Sequence, residues 1–252
     1  MTGLRRRFPW VRLGRLGLGT VAMGVGIALL VASRLGVTPM DGLHLAIAHA
    51  CGWDLGRGIL LTQAFLLLTF IPLRIRPGVA TIVGFIVPAF TADAVLALLP
   101  TLANLAEQLA ALAVGGVLFC AGVAIYLLSR LGQLPRDGLM LALGGDRNVA
   151  GRNSRRLALS RIGIDSVFVG LATLILGPSN AVHAGILSVG TLALAVLCGP
   201  MIARGLIVIA RVPGFSPQPV RTSPRHGTDR RRPVDRAKHR RRPGPPQTAP
   251  VI

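Results

Sequence analysis

Four carboxylates set the chemical possibilities of this chain. Asp41, Asp93, Asp137 and Asp165 lie within or beside long apolar runs, where an ionised side chain is costly and needs a partner. Asp41 and Asp137 occupy equivalent places. Ser33–Ala46 reads S-R-L-G-V-T-P-M-D-G-L-H-L-A and Ser129–Ala142 reads S-R-L-G-Q-L-P-R-D-G-L-M-L-A, ten of fourteen positions being identical at a constant offset of 96. Shared Arg, Pro, Asp and Gly are not what a bias toward Leu and Ala produces, and Gly26-x-Ala28 aligns with Gly122-x-Ala124 at the same offset, so the chain is an internal duplication. Arg161 and Asp165 stand four apart on one helix face and can pair. His44 and His49 have no counterpart in the second copy. Without a third ligand nearby they read as interfacial polar residues, and no metal site is expected.

Recognisable catalytic patterns are missing. There is no GxxxxGK[ST] phosphate loop, no H-E-x-x-H and no G-x-S-x-G elbow. Nine acidic residues in all, two of them in the C-terminal tail, leave little for acid–base work. Cys51, Cys120 and Cys198 form no CxxC and sit near no His at ligand spacing. We therefore expect no enzyme, no catalytic residue and no cofactor.

The elements that must position these residues are hydrophobic. The 252 residues are 52% apolar, with a mean hydropathy of +0.61, too high for an ordinary soluble domain. Runs long enough to cross a bilayer recur. Six spans are expected: Leu16–Ala32, Gly58–Ile71 (its start nearer Leu55 on a wider reading), Val79–Leu99, Leu105–Leu128, Leu157–Leu176 and Ile186–Ala210. The first run follows five arginines, and Arg5-Arg6-x-Phe8 resembles an export signal. The same Ser-Arg-Leu-Gly follows the mid-chain run Leu105–Leu128, however, which favours retention as a membrane helix.

Loop arginines give an orientation. Five precede the first span, Arg74 and Arg76 lie in the second loop, and Arg130, Arg136, Arg147, Arg152, Arg155 and Arg156 in the fourth. The first loop has only Arg34 and Arg57, the third and fifth none, and eleven basic residues follow from Arg211 onward. Both termini are expected on the cytoplasmic side of the inner (plasma) membrane. Three helices per copy is an odd number, so the second copy must be inverted relative to the first. The expected fold is all-α: a polytopic bundle of about six transmembrane helices, two inverted three-helix repeats each with a short D-G-L half-helix. The expected segments are a basic N-terminus (1–15), repeat 1 (16–104), repeat 2 (105–211) and a tail (212–252).

Within the motif, Gly36-x-x-Pro39-x-Asp41 ends one helix, and Asp41 is placed to N-cap a short helix, Gly42–Ala50, stopped by Gly52. Pro135, Asp137 and Gly138 repeat the arrangement for Gly138–Leu143, stopped by Gly144-Gly145. Nine residues at ~1.5 Å each reach ~13 Å, about half the hydrocarbon core, so these pieces re-enter the membrane or lie on its interface. Two readings stand. In one, the half-helices point polar ends and the Arg34/Asp41 and Arg130/Asp137 pairs into a shared solute pathway. In the other, each Asp caps its helix while Arg34 and Arg130 reach the headgroups. Asp93, Arg161 and Asp165 are the further intramembrane charges, each open to a structural and a functional reading. Arg204 lies near the cytoplasmic end of the last span, at a depth from which its side chain snorkels to the headgroups.

The tail is Pro- and Arg-rich without apolar periodicity, so disorder is expected. Its Arg230-Arg231-Arg232 and Arg240-Arg241-Arg242 runs suit a positive-inside anchor touching anionic lipid headgroups. Phe215 is its only aromatic residue, which leaves specific nucleic-acid binding unsupported. The sequence assigns no oligomeric state.

The doubled R-L-G-x-x-P-x-D-G-L motif resembles that of the YczE/YyaS/YitT family of bacterial integral membrane proteins. The resemblance runs from about Leu13 to Arg211. It includes Arg74-x-Arg76-Pro77-Gly78-x-x-Thr81 with Asp93 twelve residues on, Arg161-x-x-x-Asp165, and Val189-Gly-Thr191 leading to Gly199-Pro200. The chain departs from that family at Asp165, where relatives tend to have Glu, at Met40, where many carry an aromatic residue, and at Val79-Ala80. The resemblance implies a plasma-membrane protein and specifies no substrate. The leading expectation is transport of a small solute between the two repeats. The alternative is a non-transporting membrane scaffold or regulatory partner.

Overall fold

The computed structural model describes residues 9–74, 77–143 and 154–211, with side chains described except at 9, 140–143 and 154–161. Among these residues all regular structure is helical: α1 (Pro9–Ser33), α2 (Pro39–Cys51), α3 (Leu55–Leu68), α4 (Val79–Leu98), α5 (Leu105–Ser129), α6 (Pro135–Leu143), α7 (Ser154–Leu176), α8 (Pro178–His183) and α9 (Val189–Arg211). Residues 1–8 of the expected basic N-terminus (1–15), Gly144-Gly145, most of the Arg-rich fourth loop, Arg76 and the tail lie outside the described residues.

Four helices, α1, α4, α5 and α9, are long and apolar enough to cross a membrane. At ~1.5 Å per residue each reaches ~30 Å or more, the thickness of the hydrocarbon core. α3 has 14 residues, ~21 Å, and the described apolar part of α7 begins only at Ile162. Outward faces are hydrophobic: Phe65, Phe90, Leu98, Leu174 and Val189 are each at least 66% exposed, and only 11% of the apolar window of α9 is buried. A surface of that kind belongs in lipid, where helices satisfy their own backbone groups. The chain has membrane-protein character.

α1 and α5 cross at the centre, and glycine is what lets them. A Cβ on Gly19 would lie 2.6 Å from Tyr126 N and 2.8 Å from Gly122 O; one on Gly26 would lie 2.6 Å from Phe119 N and 2.8 Å from Gly115 O. Rising numbers on α1 meet falling numbers on α5, so the two helices run antiparallel. Backbones at this separation maximise dispersion contact where lipid supplies no hydrophobic driving force. α4 packs on α1 and α9 on α5.

Both copies of the motif leave their long helix in the same way. Arg34 and Arg130 take left-handed backbone conformations, each with φ of 54°. Their amides bond back to Val31 O (3.2 Å) and Leu127 O (3.3 Å). The turn was expected at Gly36, but Gly36 does something else. Its Cβ would stand 2.5 Å from the carbonyl carbon of Gly190, so the glycine is needed for close approach to the start of α9.

The expectation that Asp41 and Asp137 are N-caps is corrected. α2 begins at Pro39, with Thr38 as N-cap, its Oγ1 accepting from the Asp41 amide at 3.3 Å. α6 likewise begins at its proline, Pro135. Proline at the first helical position has its φ preset and no N–H to orphan, so the helix starts there and the aspartate falls in the first turn. Gly52 closes α2 with φ of 64°, as expected. The expected sixth span is shortened at its start, because Ile186 lies in a turn after α8 and Ser188 Oγ receives the Thr191 amide (3.1 Å) at the head of α9.

Two threonines pin the hinges. Thr81 at the start of α4 accepts from Gly78 N (2.9 Å) and donates to Gln133 O (2.7 Å). Thr191 at the start of α9 accepts from Val37 N (3.1 Å) and donates to Gly185 O (2.7 Å). Gln133 and Val37 are equivalent positions of the two motifs.

Candidate functional site

The hinges return the chain inward, and the first turns of α2 and α6 face one cavity of about 90 Å³. Its walls include Met23 and Ile27 of α1 and Phe119 and Val123 of α5, so it sits near the middle of the two central helices. Asp41, Asp137 and Asp165 all line it. Pro39 is also in the wall. Pro135, Gly42 and Gly138 are buried beside it: Gly42 packs on Ile186 and Gly138 on the Phe70 ring, with no room for a Cβ on Gly138.

Each carboxylate is engaged differently. Asp41 Oδ2 accepts from the Thr38 hydroxyl at 2.5 Å, and its Oδ1 lies 3.3 Å from Nδ1 of buried His44, within ion-pair distance but without hydrogen-bond geometry. Asp137 accepts from the hydroxyl of Tyr126, which is fully buried on α5. Asp165 on α7 accepts from Arg136 Nη2 at 2.6 Å. Asp165 was expected to pair with Arg161, whose side chain lies outside the described residues. One observed partner comes from the second motif, because α6 lays its first turn against α7. The cavity also holds acceptors and donors left open: Gln63 Oε1 and His44 Nε2, both buried, have no hydrogen-bond partner among the described residues.

The remaining expected residues lie elsewhere. Asp93 is absent from the cavity wall; its Oδ1 accepts from the Gly56 amide at 2.7 Å, capping the start of α3 from α4. Negative charge at a helix N-terminus is favourable, so Asp93 is held structurally. Arg34 and Arg130 are exposed at the left-handed turns and do not line the cavity. The basic residue that does is Arg136, counted from the sequence only as a loop arginine. Thr38, His44, Gln63 and Tyr126 were also not singled out as site residues. A signal existed for two of them: Gln63 interrupts an apolar run, and Tyr126 is the only tyrosine in the chain.

Residues 10–205 match a family of unknown function, DUF6198. The chain belongs to the DUF6198 family. This DUF6198 protein is 29% identical over 191 residues to an uncharacterized protein of Haemophilus influenzae, covering 76% of this chain and 81% of that one. It is 25% identical over 199 residues to the uncharacterized protein YyaS of Bacillus subtilis (77% and 92% covered). It is 24% identical over 127 residues to the uncharacterized membrane protein YczE of Bacillus subtilis (50% and 59% covered). YyaS and YczE are the relatives that the doubled motif resembles. No solved structure gives a significant match to this DUF6198 chain.

Proposed function

We propose that the protein is a multi-pass carrier of the plasma membrane, with both termini cytoplasmic. In this reading it moves a small solute through a site between two inverted repeats, 16–104 and 105–211, and catalyses no reaction. One observation carries the proposal: the first turns of two short helices, equivalent by sequence, meet in one cavity halfway along the central helix pair. Transporters built from inverted repeats place their sites there, at interrupted helices.

Reciprocal contacts support the inversion. Gly19 meets Gly122 and Gly26 meets Gly115, where 115 and 122 are the offset-96 equivalents of 19 and 26. Thr81 binds Gln133 of the second motif and Thr191 binds Val37 of the first. Phe70 after α3 packs on Gly138, and Ile186 after α7 packs on Gly42. When residue i touches j′ and j touches i′, the relation is that of a two-fold axis. The basic ends, 1–15 and 212–252, serve in this reading as cytoplasmic anchors on anionic lipid.

Orientation is testable with single cysteines at Arg34 and Arg130, both exposed, in a background lacking Cys51, Cys120 and Cys198. A membrane-impermeant maleimide should reach Arg34→Cys from outside and Arg130→Cys from inside. Labelling of both from one side would remove the inverted architecture. The transport reading itself is tested by solute flux into proteoliposomes. Asp41→Asn should abolish flux while Asp93→Asn retains it, since only Asp41 lines the cavity. A scaffold protein, the reading that the structural use of Asp93 favours, would show no flux for either form or for the wild type.

A further inference from the structure

The charge and open valences of the cavity specify the class of molecule it takes; this inference rests on the transport-site reading above. Arg136 and Asp165 neutralise one another at 2.6 Å. That leaves the carboxylates of Asp41 and Asp137, at a formal charge of −2. The N-termini of α2 and α6 each offset roughly half a unit of it. The balance is about −1, in a chamber whose walls are otherwise apolar: Met23, Ile27, Phe119, Val123 and Leu194. An anionic ligand is disfavoured, because each helix N-terminus that would attract it already carries an aspartate.

Hydrogen-bond valences point the same way. A carboxylate offers about four acceptor sites. Asp41 Oδ2 takes one hydroxyl, and among the described residues Oδ1 faces the misaligned His44 ring. Gln63 Oε1, on a side chain 96% buried, accepts from no described residue. Leaving such acceptors dry costs the desolvation of each. They call for a donor. Among the described residues no group of three or more His, Cys, Asp or Glu is placed to hold a metal ion, which points away from zinc and the transition metals. Nor is the chamber ion-sized. An engineered cavity of about 150 Å³ admits benzene, so one of about 90 Å³ admits about four non-hydrogen atoms.

We infer that the cavity binds a small protonated alkylamine, its ammonium countered by Asp41 and its alkyl chain against the apolar wall. The aromatic face of Phe119 suits the same ligand. Ligands this small bind at best in the tens of micromolar range.

The probe is n-propylammonium, set against isosteres of different charge on purified wild-type protein in lipid nanodiscs at constant ionic strength. Calorimetry and thermal shift should detect n-propylammonium, and should find propan-1-ol and acetate, each also of four non-hydrogen atoms, at least about tenfold weaker, a charge-assisted bond being worth that factor or more. Asp41→Asn should weaken propylammonium binding about ten- to a hundredfold. The wild-type ligand panel decides the matter even where that variant fails to fold. Equal or stronger binding of the alcohol or the carboxylate overturns the inference. So does a response to sodium ions alone, or no response to any probe at about 10 mM. Flux is measured separately with propylammonium in proteoliposomes. Binding without flux leaves the ligand class standing and removes transport; flux of another probe with no amine binding does the reverse.

Discussion

Gly26→Ala should cost about 3 kcal/mol or more of stability, and Gly26→Leu should yield no monodisperse protein. The expectation follows from what the new atoms meet. A Cβ at 26 falls 2.6 Å from Phe119 N and 2.9 Å from Phe119 Cα, backbone atoms that no rotamer change can move. Overpacking a tight interior costs about 1–3 kcal/mol per site even where side chains can yield. Here the whole α1/α5 crossing must open, and contacts along its length weaken together. Gly14 and Gly17 on the same helix have nothing within 4 Å. Gly17→Ala should therefore be neutral or stabilising by up to about 1 kcal/mol, the helix-propensity gain. Melting temperature in detergent and the monodisperse fraction on gel filtration read both outcomes. The paired two-fold reading adds a condition: Gly19, Gly26, Gly115 and Gly122 should respond as one set. If Gly26→Ala melts like Gly17→Ala, the central packing is wrong.

These four glycines show where sequence reading reaches and where it stops. Gly26 and Gly122 were visible as equivalent positions because duplication leaves an identity trace at a fixed offset. That each is paired in space with the other copy's Gly115 or Gly19 was not visible. Hydrophobic period and length reveal that a segment is an apolar helix, but every face of such a helix looks alike when its surroundings are lipid. The crossing is decided by which small residues face each other, a three-dimensional fact. The short helices were legible from proline, aspartate and glycine spacing, with one displacement. Proline's suitability for the first helical position outweighed aspartate's for the cap, so α2 and α6 begin earlier than expected.

The candidate site divides along the same line. Asp41 and Asp137 stood out because the motif is repeated, and Asp165 because a carboxylate in an apolar run is expensive. Their partners did not stand out. Arg136 sits one residue before Asp137 and was counted with the charges of a loop, yet its side chain crosses to Asp165 on α7. The first copy has Met40 at the equivalent place and His44 where the second has Met140, so each copy supplies one basic residue at a different position. Repeat identity drew attention to what the copies share. The residues that make the cavity asymmetric are those they do not.

The Arg136–Asp165 pair carries the second large effect. The two side chains are only 15% and 10% exposed, and their 2.6 Å contact joins the first turn of α6 to α7. Removing one partner takes a direct ionic contact away from a largely buried charge, and breaking a buried pair in this way typically costs about 3–5 kcal/mol. Arg136→Met should thus lower the melting temperature sharply, and Asp165→Asn should do the same. Replacing both partners with apolar residues, Arg136→Met with Asp165→Leu, should recover much of the loss, because the pair's own desolvation cost disappears with it. A double variant no more stable than the singles would mean that the pair is not the reason for their instability. The Arg136→Met single variant has a further consequence. Its cavity gains a full unit of negative charge, so a cationic ligand should stabilise it more than it stabilises the wild type, by mass action on the folded form. Propylammonium should raise the melting temperature of Arg136→Met by more than it raises that of the wild-type protein, while acetate raises neither. An equal rise in both proteins would place the amine outside the reach of Arg136 and Asp165, and with them outside the cavity.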